Sequence, residues 1–324
     1  MSEQLNIVTA SVERLYSNFK ISDLQMQLDS GKLPEALWHE LESSGFSQAD
    51  MWKTAMHILR IAARFPISMP LAETIIAANL FKDAGLVIPS GVLSFVTQGC
   101  NKNIEISSCG KVYGEVELVP WARHAKFILV IVQDKLAVVE QRYCKVKLRS
   151  NIAGEPRDDV NFNNVDAVEI IESISASRVF EQAALLRSAQ IVGTLDTVAN
   201  ITIQYVSERQ QFGRPIAKFQ AIQHHMADLV GHAAAAGTAL QAAAENPSFI
   251  SIASSKITSS EAASRSAAIA HQAFGAIGFT AEHSLHRYSK ALWAWRDEYG
   301  DEMYWNRKLG SYFTKKGSDM IWPN

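Results

Sequence analysis

The sequence predicts an α+β multidomain chain: an N-terminal helical domain, a small antiparallel β-barrel or sandwich, and a C-terminal four-helix-type bundle. Three observations carry this. Apolar residues recur at helical spacing up to about residue 86. From Val87 the period changes to short β-rich runs divided by Gly, Asn and Asp. After about residue 174 a 3.6-residue pattern returns and persists. The domain boundaries so read are 1–86, 87–174 and 175–324.

In the first segment Pro34 stands like a first-turn proline, Leu33, Leu37, Trp38 and Leu41 make an apolar face, and Gly45 stops the helix. Met51 to Arg64 continues with Met56, Ile58, Leu59 and Ile61; Pro70 opens a further helix through Leu71, Ile75, Ile76 and Leu80, ended by Gly85. The polar stretch before Lys32 predicts at most one short helix. Strands are expected at Val92–Val96, Ile104–Ile106, Val112–Val119, Phe127–Val132 and Leu136–Val139, with more at Tyr143–Leu148 and Val168–Ile171. Asp134-Lys135 reads as a tight turn. Val179, Ala183, Leu186, Ile191, Leu195, Val198, Ile201 and Val206 then sustain one long helix. Helices follow over Gln220–Ala243, Ser251–Phe274, Glu282–Trp295 and Asp301–Phe313. The Ala- and Ser-rich faces of the first two let neighbouring backbones approach closely.

At 324 residues and 48% hydrophobic, the chain can bury a large core in two or three domains. A net charge of -2 supplies no basic field for nucleic acid. No apolar run reaches the ~20 residues of a membrane span, and Met1-Ser2-Glu3 starts no signal peptide. Cys100, Cys109 and Cys144 lack metal-like spacing, and an odd count argues against a disulfide framework. The expectation is a soluble cytoplasmic protein without a metal.

Two segments concentrate groups suited to a phosphate-bearing ligand. Arg209-Gln-Gln-Phe-Gly-Arg-Pro-Ile, running on to Phe219-Gln220, joins one long helix to the next; Gln272-Ala-Phe-Gly-Ala-Ile-Gly-Phe279 breaks another. An arginine can fork two hydrogen bonds to a pyrophosphate at any relevant pH. Alone, Arg209 reads as a cation favoured at a helix C-terminus.

Together the two segments resemble the C-terminal helical domain of the acyl-CoA dehydrogenases, whose order of helices, β-domain and bundle matches nearly the whole chain. The resemblance implies FAD-dependent α,β-dehydrogenation of acyl-CoA thioesters, with FAD held across a subunit interface. It implies that Arg209 and Gln211 face phosphate, that Phe212 packs against the adenine side beside Phe219, and that Gln220 and Gln272 bond the cofactor's polar tail. Gly275 and Gly278 admit close backbone approach. The family reads Gly-Gly where this chain has Gly275-Ala276, whose added methyl crowds that approach. The family's flavin-ring elements are thinner here. Leu93-Ser-Phe-Val-Thr-Gln-Gly99 stands in place of a Thr-Glu-Pro run, Ala-Gly-Ser-Asp is absent, and Trp121 only echoes a Trp-Ile-Thr element; Trp121 reads equally as plain core.

The reaction needs a carboxylate base desolvated enough to work near neutral pH. By the resemblance one base position falls on Tyr299 and the other on Ala183, followed by Ala184. Both lack a carboxylate. Nearby acids are Asp297, Glu298, Asp301, Glu302 and Glu181, of which Asp301 and Glu298 are the candidate substitutes. The resemblance is to the smaller subunits of bacterial heteromeric enzymes acting on bulky acyl-CoA esters such as steroid side chains. It implies a second acyl-CoA dehydrogenase-like subunit and an electron-transfer acceptor as partners. A homo-oligomeric dehydrogenase with a relocated acid, or a non-catalytic scaffold without flavin, are the alternatives.

Overall fold

The computed structural model describes residues 3–50, 52–97, 104–280 and 282–316. Helices α1 (Glu3–Ser17), α2 (Ile21–Asp29), α3 (Glu35–Ser43), α4 (Lys53–Ala62) and α5 (Leu71–Asp83) come first. Two four-stranded sheets follow, built from β1 (Leu93–Thr97), β2 (Ile104–Ile106), β3 (Lys111–Pro120), β4 (Phe127–Val132), β5 (Lys135–Glu140), β6 (Lys145–Lys147), β7 (Arg157–Asp166) and β8 (Glu169–Glu172). The rest is α6 (Ala176–Glu208), a short hairpin of β9 (Gln210–Gln211) and β10 (Arg214–Pro215), then α7 (Gln220–Glu245), α8 (Phe249–Phe274), α9 (Leu285–Asp297) and α10 (Glu302–Lys316). The chain divides into two compact units: Met1–Leu59 with Ile67–Ala183, and Arg60–Pro66 with Ala184–Asn324. Among the described residues no helix is long and apolar enough to cross a membrane.

The first unit is organised on α5. Its apolar residues face all directions, and Leu71, Ile75, Ile76, Ala77, Ala78 and Leu80 are all buried, as a central helix requires. Thr74 on α5 exchanges hydrogen bonds with Leu93, tying the helix to β1. The sheets run β1-β4-β5-β8 and β2-β3-β7-β6. They do not close into a barrel. The β1–β4 pair is parallel, from Leu93 opposite Phe127 to Thr97 opposite Ile131, so the expectation of a wholly antiparallel domain is corrected.

Three further departures have local causes. The stretch before Lys32 forms two helices, because Val12, Leu15, Tyr16 and Leu24 bury at helical spacing among polar neighbours. The turn between β4 and β5 is Gln133-Asp134, one residue earlier than expected, with Gln133 at φ 55° and Lys135 already paired to Val132. Strand β7 is absent from the sequence reading. Its Asp and Asn residues hide the inward Val160, Phe162 and Val165, and its buried Asp158 is matched by hydrogen bonds from Arg123 and from the Arg149 backbone.

In the second unit α7 and α8 pack through small side chains. Ala233, Ala236 and Ala243 of α7 are buried, as are Ser259, Ala262, Ala263, Ala267 and Ala270 of α8. Ser248 and Ser251 form a reciprocal cap at the start of α8, a device worth ~1 kcal/mol. The segment Arg60–Pro66 belongs to this unit by hydrogen bonds: Thr194 donates to the Ala63 carbonyl at 3.0 Å and Tyr288 to that of Arg64 at 2.9 Å.

Candidate functional site

The Arg209 segment folds as a hairpin set on the end of α6. Arg214 pairs with Gln211 and Pro215 with Gln210, leaving Phe212 and Gly213 as a two-residue turn at φ 54° and 78°. Two positive φ values in succession are what a tight hairpin of matching twist requires. Glycine takes that conformation freely; a phenylalanine there costs ~1–2 kcal/mol. Phe212 is also 91% exposed. A strained aromatic residue presented to solvent has no explanation in the packing of its own unit. It meets Phe219 edge to face with ring centroids 6.0 Å apart, and the Arg214 guanidinium lies 4.3 Å over the Phe219 ring. Arg209, Gln211 and Gln220 are exposed around it.

The second segment is brought to the first. Tyr205, one turn before Arg209 on α6, stacks on Phe274 at 4.1 Å and donates to its carbonyl. Phe274 closes α8, and Gly275 follows at φ 62°, ψ -141°, a conformation that side-chain-bearing residues avoid. Gln272, Gly275 and Ala276 are exposed beside this turn. Behind it His271 is buried. Its Nε2 lies 2.9 Å from Ser289 Oγ, and its ring is stacked between Phe279 and Trp293. Burial, aided by the nearby charge of His286, holds the His271 imidazolium pKa below its ordinary value. His271 is therefore part of the turn's foundation. Tyr205 carried no signal in the sequence beyond its closeness to the motif, and Arg214 stood within the motif without an assigned role.

Residues expected near a flavin ring sit differently. Trp121 is 2% exposed at the corner after β3, with φ 54° and its backbone N–H bonded to the Pro156 carbonyl. Leu93, Ser94, Phe95 and Val96 are all buried in β1; Gln98 and Gly99 lie outside the described residues. These are core positions. A cleft between α6 and α7, lined by Arg60, Asp196, Asn200, Val230, Ala233 and Gln241, includes none of the motif residues. Arg209, Phe212 and Gln272 are all exposed on this chain and lie outside that cleft. Among the described residues no group of His, Cys, Asp and Glu could hold a metal ion.

Three of the acids near the two base positions, Asp297, Glu298 and Asp301, are already engaged. Ala183 is buried on α6. Tyr299 lies in the turn between α9 and α10 at φ 56°, its carbonyl accepting from Trp305 Nε1 at 3.0 Å. The carboxylate of Asp301 accepts from the Tyr304 backbone N–H at 2.7 Å, capping α10. That of Glu298 lies 2.8 Å from the buried guanidinium of Arg187. Asp297 pairs with Arg296 at 2.8 Å. Trp295 and Trp305 are buried, so the aromatic cluster here is helix packing.

Lys256, on the Ser-rich face of α8, is fully buried below this turn. Its Nζ donates to the carbonyls of Trp295 and Arg296 at 3.2 and 2.6 Å and to Ser260 Oγ at 3.1 Å. Burial pushes its pKa down to about 7, against the opposing pull of Glu298. The unfolded chain keeps this proton up to about pH 10.4. Between those values folding releases a proton, so stability rises with pH, and below the folded value the contribution is flat. Urea unfolding from about pH 7 to 9 should therefore show wild type gaining stability relative to Lys256→Met. Parallel pH profiles for the two proteins would remove Lys256 as the source.

Comparison with known proteins places these features. The family model described as "Acyl-CoA dehydrogenase, C-terminal domain" matches residues 174–294. The chain is similar to the acyl-CoA dehydrogenase IpdE2 of Mycobacterium tuberculosis, 38% identical over 112 residues. That match spans 35% of each protein, so the curated relative is matched over about a third of its length. In fold it is similar to a chain of the ChsE4-ChsE5 complex from Mycobacterium tuberculosis, with a TM-score of 0.86 at 19% identity over 98% of this chain and 99% of that one. A chain of the Tcur3481-Tcur3483 steroid ACAD G363A variant gives 0.87 at 19% identity, covering 97% and 98%.

Proposed function

The chain belongs to the acyl-CoA dehydrogenase family by its C-terminal domain, and from that premise we propose that it is one subunit of an FAD-dependent acyl-CoA dehydrogenase, completing a flavin site on a partner. It contributes the pyrophosphate and adenine half of the site. Arg209 and Gln211 bind phosphate, Phe212 packs on the adenine side above Phe219, and Gln220, Gln272 and the turn at Gly275 and Ala276 hold the polar tail. When bound, FAD accepts a hydride from the substrate β-carbon as the α-proton is removed. This chain orients the cofactor and supplies no base. The substrate class is a bulky acyl-CoA thioester, and the partner is a second acyl-CoA dehydrogenase-like subunit that carries the base and the ring pocket. A separate electron acceptor would complete the assembly.

The observation that carries this reading is Phe212, strained and 91% exposed just after exposed Arg209 and Gln211. The residues present fit the cofactor's tail. They do not fit its ring, since Trp121 and β1 are spent on the core of their own unit.

The test is flavin retention in the complex with the partner subunit. Arg209→Ala should weaken FAD binding by ~1.5–3 kcal/mol, the range for a hydrogen bond to a charged group, or roughly 10- to 150-fold. Wild-type flavin stoichiometry after dialysis of the variant complex would assign Arg209 a structural role and sink the proposal.

A further inference from the structure

Arg187 stands one helical turn along α6 from Ala183, in a stretch otherwise apolar or small except for Ser188 and Gln190. It is 3% exposed on its side chain. One end of its guanidinium pairs with Glu298 at 2.8 Å and the other donates to Gln190 Oε1. Its carbon lies 5.6 Å from the Tyr299 ring and 5.7 Å from that of Trp295. A fixed, buried cation therefore sits at the very turn where the base position falls. Lys256 on α8 bonds the last carbonyls of α9 from the other side, and Asp297, Glu298 and Glu302 are the carboxylates whose charges reach it.

A buried ion pair is weak evidence for stability, because desolvation offsets most of the attraction. Its consequence for chemistry is firmer. An arginine remains charged at every relevant pH. A carboxylate beside it becomes a stronger acid, and so a weaker base, by about 1–3 pK units. A general base for this reaction must move the other way, toward neutrality. We propose that Arg187 is a positioning residue that disarms this turn, claiming any carboxylate at 298 or 299 as its counter-ion. The absence of a base is then a property of the surroundings as well as of Tyr299. Replacing the tyrosine by glutamate is not sufficient to restore one. This rests on the proposed assignment of Tyr299 to the base position.

The experiment introduces a carboxyl by Tyr299→Glu, with and without Arg187→Met, and follows glutamate carboxyl carbons by NMR across pH. The signal absent from the parent protein reports the introduced group. With Arg187 present it should titrate below the ordinary glutamate value of about 4.3. Without Arg187 its proton affinity should rise at least tenfold, as burial acts uncompensated. The same midpoint in both backgrounds overturns the proposal. Should Arg187→Met fail to fold because Glu298 loses its counter-ion, Tyr299→Glu is compared in Glu298→Gln and in Arg187→Met with Glu298→Gln, two backgrounds that differ only at Arg187. Flavin does not enter this measurement. A chain that binds no FAD but shows the shift keeps the role of Arg187 and loses the proposed subunit function; one that binds FAD without the shift does the reverse.

Discussion

The purified chain, given FAD and an acyl-CoA, is expected to dehydrogenate at a rate lower by about 100- to 10,000-fold than a family member with its glutamate in place, the usual cost of a missing general base. Both positions that supply a base by resemblance carry uncharged residues, Tyr299 and Ala183. Tyrosine, with a reference pKa near ~10, cannot replace a carboxylate at neutral pH. The two candidate substitutes have other employment. Asp301 caps α10 through the Tyr304 N–H, and Glu298 is the counter-ion of Arg187. Turning Asp301 inward would forfeit the cap, at ~1 kcal/mol. Turning Glu298 would take the counter-ion from a buried guanidinium, at ~3–5 kcal/mol. Single Asp301→Asn and Glu298→Gln variants decide the matter. If the isolated chain reduces flavin with an acyl-CoA and one of these changes abolishes it, the chain is a self-sufficient enzyme with a relocated acid.

How far the sequence reached follows from what each feature depends on. The break between two long helices at 209–216 was legible from the glycine and proline that interrupt the helical period; the hairpin that fills it and the positive φ of Phe212 were not. The long helices were legible by period. Strand β7 was not, since its pattern is masked by Asp158 and Asp159, whose partners Arg123 and Arg149 come from other parts of the sheet region. Likewise Arg187 and Lys256 left a detectable mark, a single cation within an otherwise apolar or small helical stretch. Their partners could not be read, because the turn at 295–298 is remote in sequence and meets them only in the folded bundle. The exposure of Arg209 and Gln272 is likewise a tertiary fact. Motif residue types indicate what they could bind; only the fold shows that they face outward.

The largest effect on stability is expected from Gly193→Ala, a substitution that raises helix propensity by ~1 kcal/mol in an exposed helix interior. Here the sign reverses. A Cβ at Gly193 would lie 1.9 Å from the backbone carbonyl oxygen of Arg60 and 2.8 Å from its carbon. The obstacle is main chain, so no rotamer change relieves it. The α4 end cannot retreat cheaply either. Thr194 and Thr197 bond the carbonyls of Ala63 and Arg64, Tyr288 bonds Arg64 again, and Arg60 pairs with Asp196 at 2.9 Å. Separating the helices by the missing distance would loosen all four contacts together. A loss at or above the upper end of the ~1–3 kcal/mol typical of overpacking is therefore expected, read as a lower urea midpoint with an unchanged slope. Gly237, whose Cβ would meet only the far end of the Arg60 side chain and Val192 at 3.8 and 4.0 Å, is the internal control. Gly237→Ala should be neutral or slightly stabilising. If the two alanine variants unfold alike, close approach at Gly193 is not what fixes the end of α4 against α6.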